Sequence, residues 1–307
     1  MKTKQNSFIL PDPLKEGDII GLPAPAGIVS KNVVNRVVRI FKENGFTNLI
    51  LPDISRTFRY FAADDKSRAD DFNRMIEARN VKAIIALRGG YGSVRILNDV
   101  NISELIKKRI IFCGYSDISL FHTLIFNSRK LISFYGPMPG IDFSLKNMNS
   151  IKGFFNFLKN FSRNDITYSF KNDLKLKKAE FSGTAFASCL TLLQTTAGTE
   201  YQPNLSGSIL FLEDVNEESY RVDRMLHHLL HSGILSGVKI IVFCLKGSES
   251  ETGDLNEILD EISVKTGIHI IRGFRFGHLS PFNIIPIGSV CKVEIKGNKI
   301  LLNFLLR

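Results

Sequence analysis

Cysteine is scarce in this 307-residue chain, and its four copies (Cys113, Cys189, Cys244 and Cys291) are scattered without a CxxC pair. That spacing excludes a dense disulfide framework and a cysteine-based zinc site; three of the four sit in strand-like apolar runs, as buried reduced thiols do. Long apolar runs are missing too. No stretch reaches the roughly 18–20 residues needed to cross a bilayer. The first eleven residues, MKTKQNSFILP, have a basic front but too short an apolar stretch for a secretory signal. The expected location is therefore cytoplasmic, with no membrane partner. Complete cofactor motifs are lacking as well: Gly89-Gly90-Tyr91-Gly92 misses the third glycine of GxGxxG, because Arg95 stands there, and no Gly-Lys-Ser/Thr follows.

What is present is a globular composition, 44% apolar and 23% charged, in a chain long enough for one large or two ordinary domains. The net charge of +10 draws on many lysines between Lys146 and Lys178 and near the C-terminus. They are spread along segments, and no nucleic-acid-binding motif accompanies them; the positive field either favours anionic substrates or reflects a lysine-rich proteome.

The order of elements is legible. Asp18–Leu22 reads as a buried strand delivering a small-residue loop at Pro23–Gly27, and the spacing of Val33 to Phe41 predicts a helix capped by Ser30 and stopped at Gly45. A short strand at Asn48–Leu51, an amphipathic surface helix at Asp65–Ala78 and a strand at Val81–Leu87 follow. A strand at Ile110, a helix after Ser116 and a strand at Leu131–Tyr135 complete the first half. This alternation implies a parallel sheet with ligands at its strand ends. Residues 142–176, including Asn172-Asp173, read as a helix followed by a connector. The pattern then restarts with strands at Ser208–Leu212, Val238–Leu245 and Ile268–Ile271, helices at Tyr220–Leu230 and Leu255–Val264, and a closing hairpin turning at Gly297-Asn298. The expected domains are residues 1–165 and 166–307.

The apolar run Ile110–Cys113 enters Gly114-Tyr115-Ser116-Asp117 and a helical pattern follows at once. A strand-to-helix elbow lifts one hydroxyl above a sheet and leaves helix N–H groups to receive developing negative charge. The same four residues also read as an ordinary N-cap. Loops at other strand ends add Glu213 and His278, and the set matches nucleophilic acyl transfer: Ser116 attacks, His278 takes its proton and Glu213 orients the imidazole. Asp214, Glu217 and Glu218 rival Glu213, and a loop histidine is commonly only a hydrogen-bonding residue. A separate trio, Asp223, His227 and His231, shares one helical face and could present metal ligands, although the Glu of His-Glu-x-x-His is replaced by His228. The helix-end dipole is the better account of those histidines, and neither a metal nor a cofactor is expected.

Taken in order, the motifs resemble the LD-carboxypeptidases, or muramoyl-tetrapeptide carboxypeptidases, a serine peptidase group that includes microcin C immunity hydrolases. Residues 86–93 (ALRGGYGS) are similar to the family's Arg-Gly-Gly-Tyr-Gly loop, residues 114–117 (GYSD) to its nucleophile motif, residues 212–217 with 220–224 to its Leu-Glu-Asp segment, and residues 276–278 with 286–288 to its histidine loop. The resemblance implies a Ser116, Glu213 and His278 triad and an oxyanion hole from the backbone N–H groups of Gly90 and Asp117. It also implies an N-terminal Rossmann-like domain, a C-terminal mixed α/β domain and an active-site groove between them. The implied reaction is removal of the terminal D-alanine from anionic murein tetrapeptides in peptidoglycan recycling; a homodimer is common in the family. Arg88, Tyr91, Arg95 and Tyr135 are the expected substrate contacts. Two departures bear on specificity: Tyr135 stands where the family usually has His before Gly-Pro-Met, and Ala187-Ser188-Cys189-Leu190 replaces its Gly-Gly-Asn-Leu.

Overall fold

The computed structural model describes residues 8–144, 147–162, 165–172, 176–247 and 253–306, and the chain divides into two units, Met1–Asn164 and Asp165–Arg307. The N-terminal basic front, Lys146 and Asp173 lie outside the described residues.

The first unit runs β1 (Ile19–Gly21), α1 (Lys31–Glu43), β2 (Leu49–Ile50), α2 (Asp65–Glu77), β3 (Val81–Ile85), α3 (Ile102–Lys107), β4 (Ile111–Gly114), α4 (Ser119–Ser128), β5 (Ser133–Tyr135), α5 (Pro139–Asp142) and α6 (Met148–Asn160). Its strands lie side by side in the order β5-β4-β3-β1-β2, all parallel. The sequence explains the elements locally. The Ser30 hydroxyl accepts the Val33 N–H at 3.4 Å to start α1, and Gly45, at φ +90°, follows its end. Asp64 caps α2 through the Ser67 N–H at 2.9 Å, and Ala69, Phe72 and Met75 are buried beneath that helix as its periodicity requires. Apart from the exposed Lys82, β3 and β4 are apolar on both faces, as suits a parallel sheet covered by helices; Ile84, Ile85, Ile111 and Phe112 are wholly buried, each side chain stabilising the unit by roughly 1.5–3 kcal/mol.

The second unit runs β6 (Ile166–Lys171), β7 (Lys178–Cys189), α7 (Leu190–Thr196), β8 (Ser208–Val215), α8 (Ser219–His231), β9 (Ile240–Lys246), α9 (Gly253–Thr266), β10 (His269–Ile271), β11 (Ile285–Ile287), β12 (Val290–Lys296) and β13 (Lys299–Leu305). Its sheet order is β10-β9-β8-β7-β12-β13-β6, parallel from β10 to β7 and antiparallel from β7 to β6. Where a connector is expected, residues 166–171 instead form an edge strand. Ile166, Tyr168 and Phe170 alternate with the exposed Thr167, Ser169 and Lys171, a period of two that suits a one-sided sheet. The long β7 also escapes the sequence reading, because its lysine-bearing first half alternates and only its last residues are apolar on both faces. The hairpin stands as expected: Lys296 pairs with Lys299 across Gly297, and Asn172 pins the turn by donating to Gly297 O at 2.7 Å.

Among the described residues no helix is long and apolar enough to cross a membrane.

Candidate active site

In the first unit, β4 ends at Gly114 and the chain turns through a short 3-10 segment, Ser116–Ile118, into α4. Ser116 sits at φ +60°, a left-handed conformation that a non-glycine residue adopts at a cost of roughly 1–3 kcal/mol. Gly114 permits the turn: a Cβ there would lie 2.8 Å from Ile118 Cγ2. The ordinary N-cap reading fails. An N-cap hydroxyl needs an extended backbone, which Ser116 does not have, and neither the 3-10 turn nor α4 carries a side-chain cap. The Asp117 carboxylate, fully buried, accepts the Ser93 N–H at 2.8 Å instead; burial pushes its pKa above the ordinary carboxylate value.

Buried polar groups brace this elbow. Tyr135, opposite Gly114 in the β4–β5 register, accepts the Ser116 N–H on its hydroxyl at 3.3 Å. Tyr115 Oη donates to Asp142 Oδ1 at 3.1 Å, while Asp142 Oδ2 accepts the Met138 N–H at 2.7 Å. His122 lies 3.0 Å through Nε2 from Gly114 O and 2.8 Å through Nδ1 from Ser133 Oγ. A carbonyl only accepts, so Nε2 carries the proton and Nδ1 receives the serine hydroxyl. Complete burial lowers the His122 pKa to about 4 and keeps the ring neutral. Nothing in the sequence marks out His122, which stands among the apolar residues of α4.

The glycine loop packs against the elbow. A Cβ on Gly89 would lie 3.2 Å from Ser116 Cβ and 3.3 Å from Asp117 N, so only a glycine fits at that approach without displacing the nucleophile turn. Gly90 takes φ +119° and Gly92 φ +144°, and among the described residues the Gly90 N–H enters no backbone hydrogen bond. Arg68, on α2, is 2% exposed; its guanidinium donates to Ala63 O and Gly92 O, each at 3.1 Å, to Pro25 O, and to Asp65. It thus ties the glycine loop to the loop after β1.

The expected substrate contacts fall in different places. Arg88 donates to Ile28 O at 2.8 Å. Arg95 is engaged by Asp65, with Nε at 2.9 Å from both carboxylate oxygens. Tyr91 is half exposed beside Tyr60 and Phe61, with ring centroids 6.1 and 5.9 Å away. Tyr135 is wholly buried.

In the second unit, Glu213 is the sixth residue of β8 and is 1% exposed. Its Oε2 accepts the His278 Nδ1 proton at 2.7 Å and the His278 N–H at 3.3 Å. This pairing fixes the tautomer that leaves Nε2 as the base. Gly277, at φ +60°, makes the approach possible, because a Cβ there would lie 2.5 Å from Glu213 Cδ. The rivals are occupied elsewhere. Asp214 Oδ2 accepts from the Thr191 N–H and hydroxyl, both at 2.8 Å, at the start of α7. Glu218 pairs with Arg221 at 3.2 Å, and burial with the nearby Asp214 charge raises the Glu217 pKa. His227 bonds Asp223 Oδ1 at 2.8 Å through Nδ1 and Lys265 Nζ at 3.0 Å through Nε2, which leaves neither nitrogen aimed at a shared metal position. All four cysteines are buried free thiols whose pKa values burial pushes upward, so none is poised as a nucleophile.

Residues 20–136 match the LD-carboxypeptidase N-terminal domain and residues 182–293 the LD-carboxypeptidase C-terminal domain. The chain is 31% identical to the probable murein peptide carboxypeptidase of Bacillus subtilis over 288 residues, covering 91% of this chain and 89% of that protein. It is 25% identical to the microcin C7 self-immunity protein MccF of Escherichia coli, covering 96% of each. The crystal structure of muramoyltetrapeptide carboxypeptidase from Oxalobacter formigenes superposes with a TM-score of 0.80 at 30% identity, covering 92% of this chain and 98% of that one. With matched domains in both units and relatives aligned over almost their whole length, the chain belongs to the LD-carboxypeptidase family of peptidases.

Proposed function

We propose that the protein is a serine-type carboxypeptidase that removes the terminal D-alanine from murein tetrapeptides, cutting an L,D bond during peptidoglycan recycling in the cytoplasm. The observation that carries the reading is the Glu213–His278 pair at 2.7 Å, a partly exposed base on a buried orienting acid, in a chain whose other unit presents Ser116 on a left-handed elbow. Ser116 Oγ attacks the scissile carbonyl as His278 Nε2 takes its proton, and the oxyanion is received by the N–H groups of Gly90 and Asp117. His278 then returns the proton to the departing D-alanine amine, and water, activated by the same nitrogen, hydrolyses the acyl-enzyme. Glu213 holds the imidazole throughout and stabilises its charged form. No metal or cofactor has a part in this scheme. The net positive charge of +10 favours an anionic peptide, and the enzyme works as a homodimer.

Ser116→Ala should lower D-alanine release by about 10³–10⁶-fold with the fold retained, measured by amino-acid release from a synthetic tetrapeptide. Near-normal turnover in that variant would overturn the proposal. The second reading is hydrolysis of an aminoacyl nucleotide, favoured by the likeness to MccF, whose structure in complex with aspartyl sulfamoyl adenosine shares this fold with a TM-score of 0.83. Parallel incubation with the tetrapeptide and an aminoacyl adenylate analogue separates the two, since release of the amino acid from the latter alone identifies the second.

A further inference from the structure

We propose that Tyr135 is a positioning residue for the nucleophile, holding Ser116 in its left-handed conformation and withdrawing the Ser116 N–H from the oxyanion site. The inference rests on Ser116 being the attacking group. Tyr135 is wholly buried at the end of β5, and the parallel register sets it beside Gly114, the last residue before the elbow. Its hydroxyl accepts the Ser116 N–H at 3.3 Å. Its ring is lodged between Tyr115 at 6.2 Å and His122 at 5.9 Å, centroid to centroid, and both neighbours are themselves hydrogen-bonded to fixed partners. The hydroxyl therefore has little freedom to follow a drifting backbone.

Two consequences follow from that placement. A backbone N–H pointing into a buried pocket loses water, and the Tyr135 oxygen supplies the acceptor that makes the φ +60° turn tolerable there. A donor engaged in this way cannot also face a developing oxyanion, so the role passes to the next N–H along the chain, that of Asp117. Tyr135 reaches no substrate in this account. It acts on the reaction only through the placement of Ser116.

The test is Tyr135→Phe, which keeps the ring and removes the hydroxyl that accepts the Ser116 N–H. The expected result is a fall in kcat of about 10–100-fold with KM within about twofold, and an equal fall in the rate at which a serine-directed phosphonate labels Ser116. A packing role alone would lower the melting temperature and leave kcat per folded molecule unchanged; a kcat within twofold of the parent overturns the inference. Should the variant not fold, amide exchange in the parent protein decides: the Ser116 N–H exchanges more slowly than the Asp117 N–H, and equally fast exchange at both overturns it. If the parent protein itself is neither labelled nor active, the proposed reaction fails, while the exchange comparison still judges the hydrogen bond.

Discussion

Ser116 sits in a left-handed backbone conformation beside a set of buried, hydrogen-bonded side chains. His122 is the most informative of them, because its ring is buried, neutral and bonded on both nitrogens. Its pKa falls from the ordinary 6.5 to about 4 in the folded protein. Between those values the unfolded chain binds a proton that the folded chain does not, so stability falls as the pH drops from about 6.5 to about 4 and this group adds no further loss below that. The contribution is roughly 3 kcal/mol at most. Replacing His122 with Gln should flatten that part of the stability profile measured by denaturant unfolding at successive pH values; an unchanged slope would show that the ring is not held neutral. Such residues were not legible beforehand. A histidine on an apolar helix face carries no sequence signal of its role, and the hydroxyl of Tyr135 is meaningful only once β4 and β5 are in register.

At the level of elements, the strand ends were the legible part. The run from Ile110 into Gly114-Tyr115-Ser116-Asp117 shows period and turn chemistry together, and β4, the 3-10 turn and α4 follow it closely. The end of β8 was harder to read, because Glu213 and Asp214 are adjacent carboxylates and alternation sends them to opposite faces. One reaches His278 and the other the start of α7, and only the sheet geometry says which. The edge strand β6 and the interior strand β7 are hard to find by a search for apolar runs, because polar residues alternate along β6 and along the first half of β7. Gly277 gives the element-scale prediction. With φ +60° and a virtual Cβ 2.5 Å from Glu213 Cδ, Gly277→Ala should cost about 1–3 kcal/mol of stability and break the acid–base pair. Melting temperature and turnover should both drop; a variant that kept full turnover would show that the pair tolerates displacement.

For the molecule as a whole, the proposed reaction divides its parts between two units: nucleophile and N–H donors in Met1–Asn164, base and acid in Asp165–Arg307. Family membership supports a peptidase, and the hydrogen-bonded Glu213–His278 pair supports the proposed assignment of its chemistry to these residues. The central claim is that the two sets act on one another. The most direct measurement is the rate at which a serine-directed phosphonate modifies the parent protein and a His278→Gln variant, followed by intact mass and located by peptide mapping. The account predicts a single adduct on Ser116 and a rate about 10³-fold lower or less in the variant. Equal labelling of both proteins, or an adduct at any other residue, would contradict it.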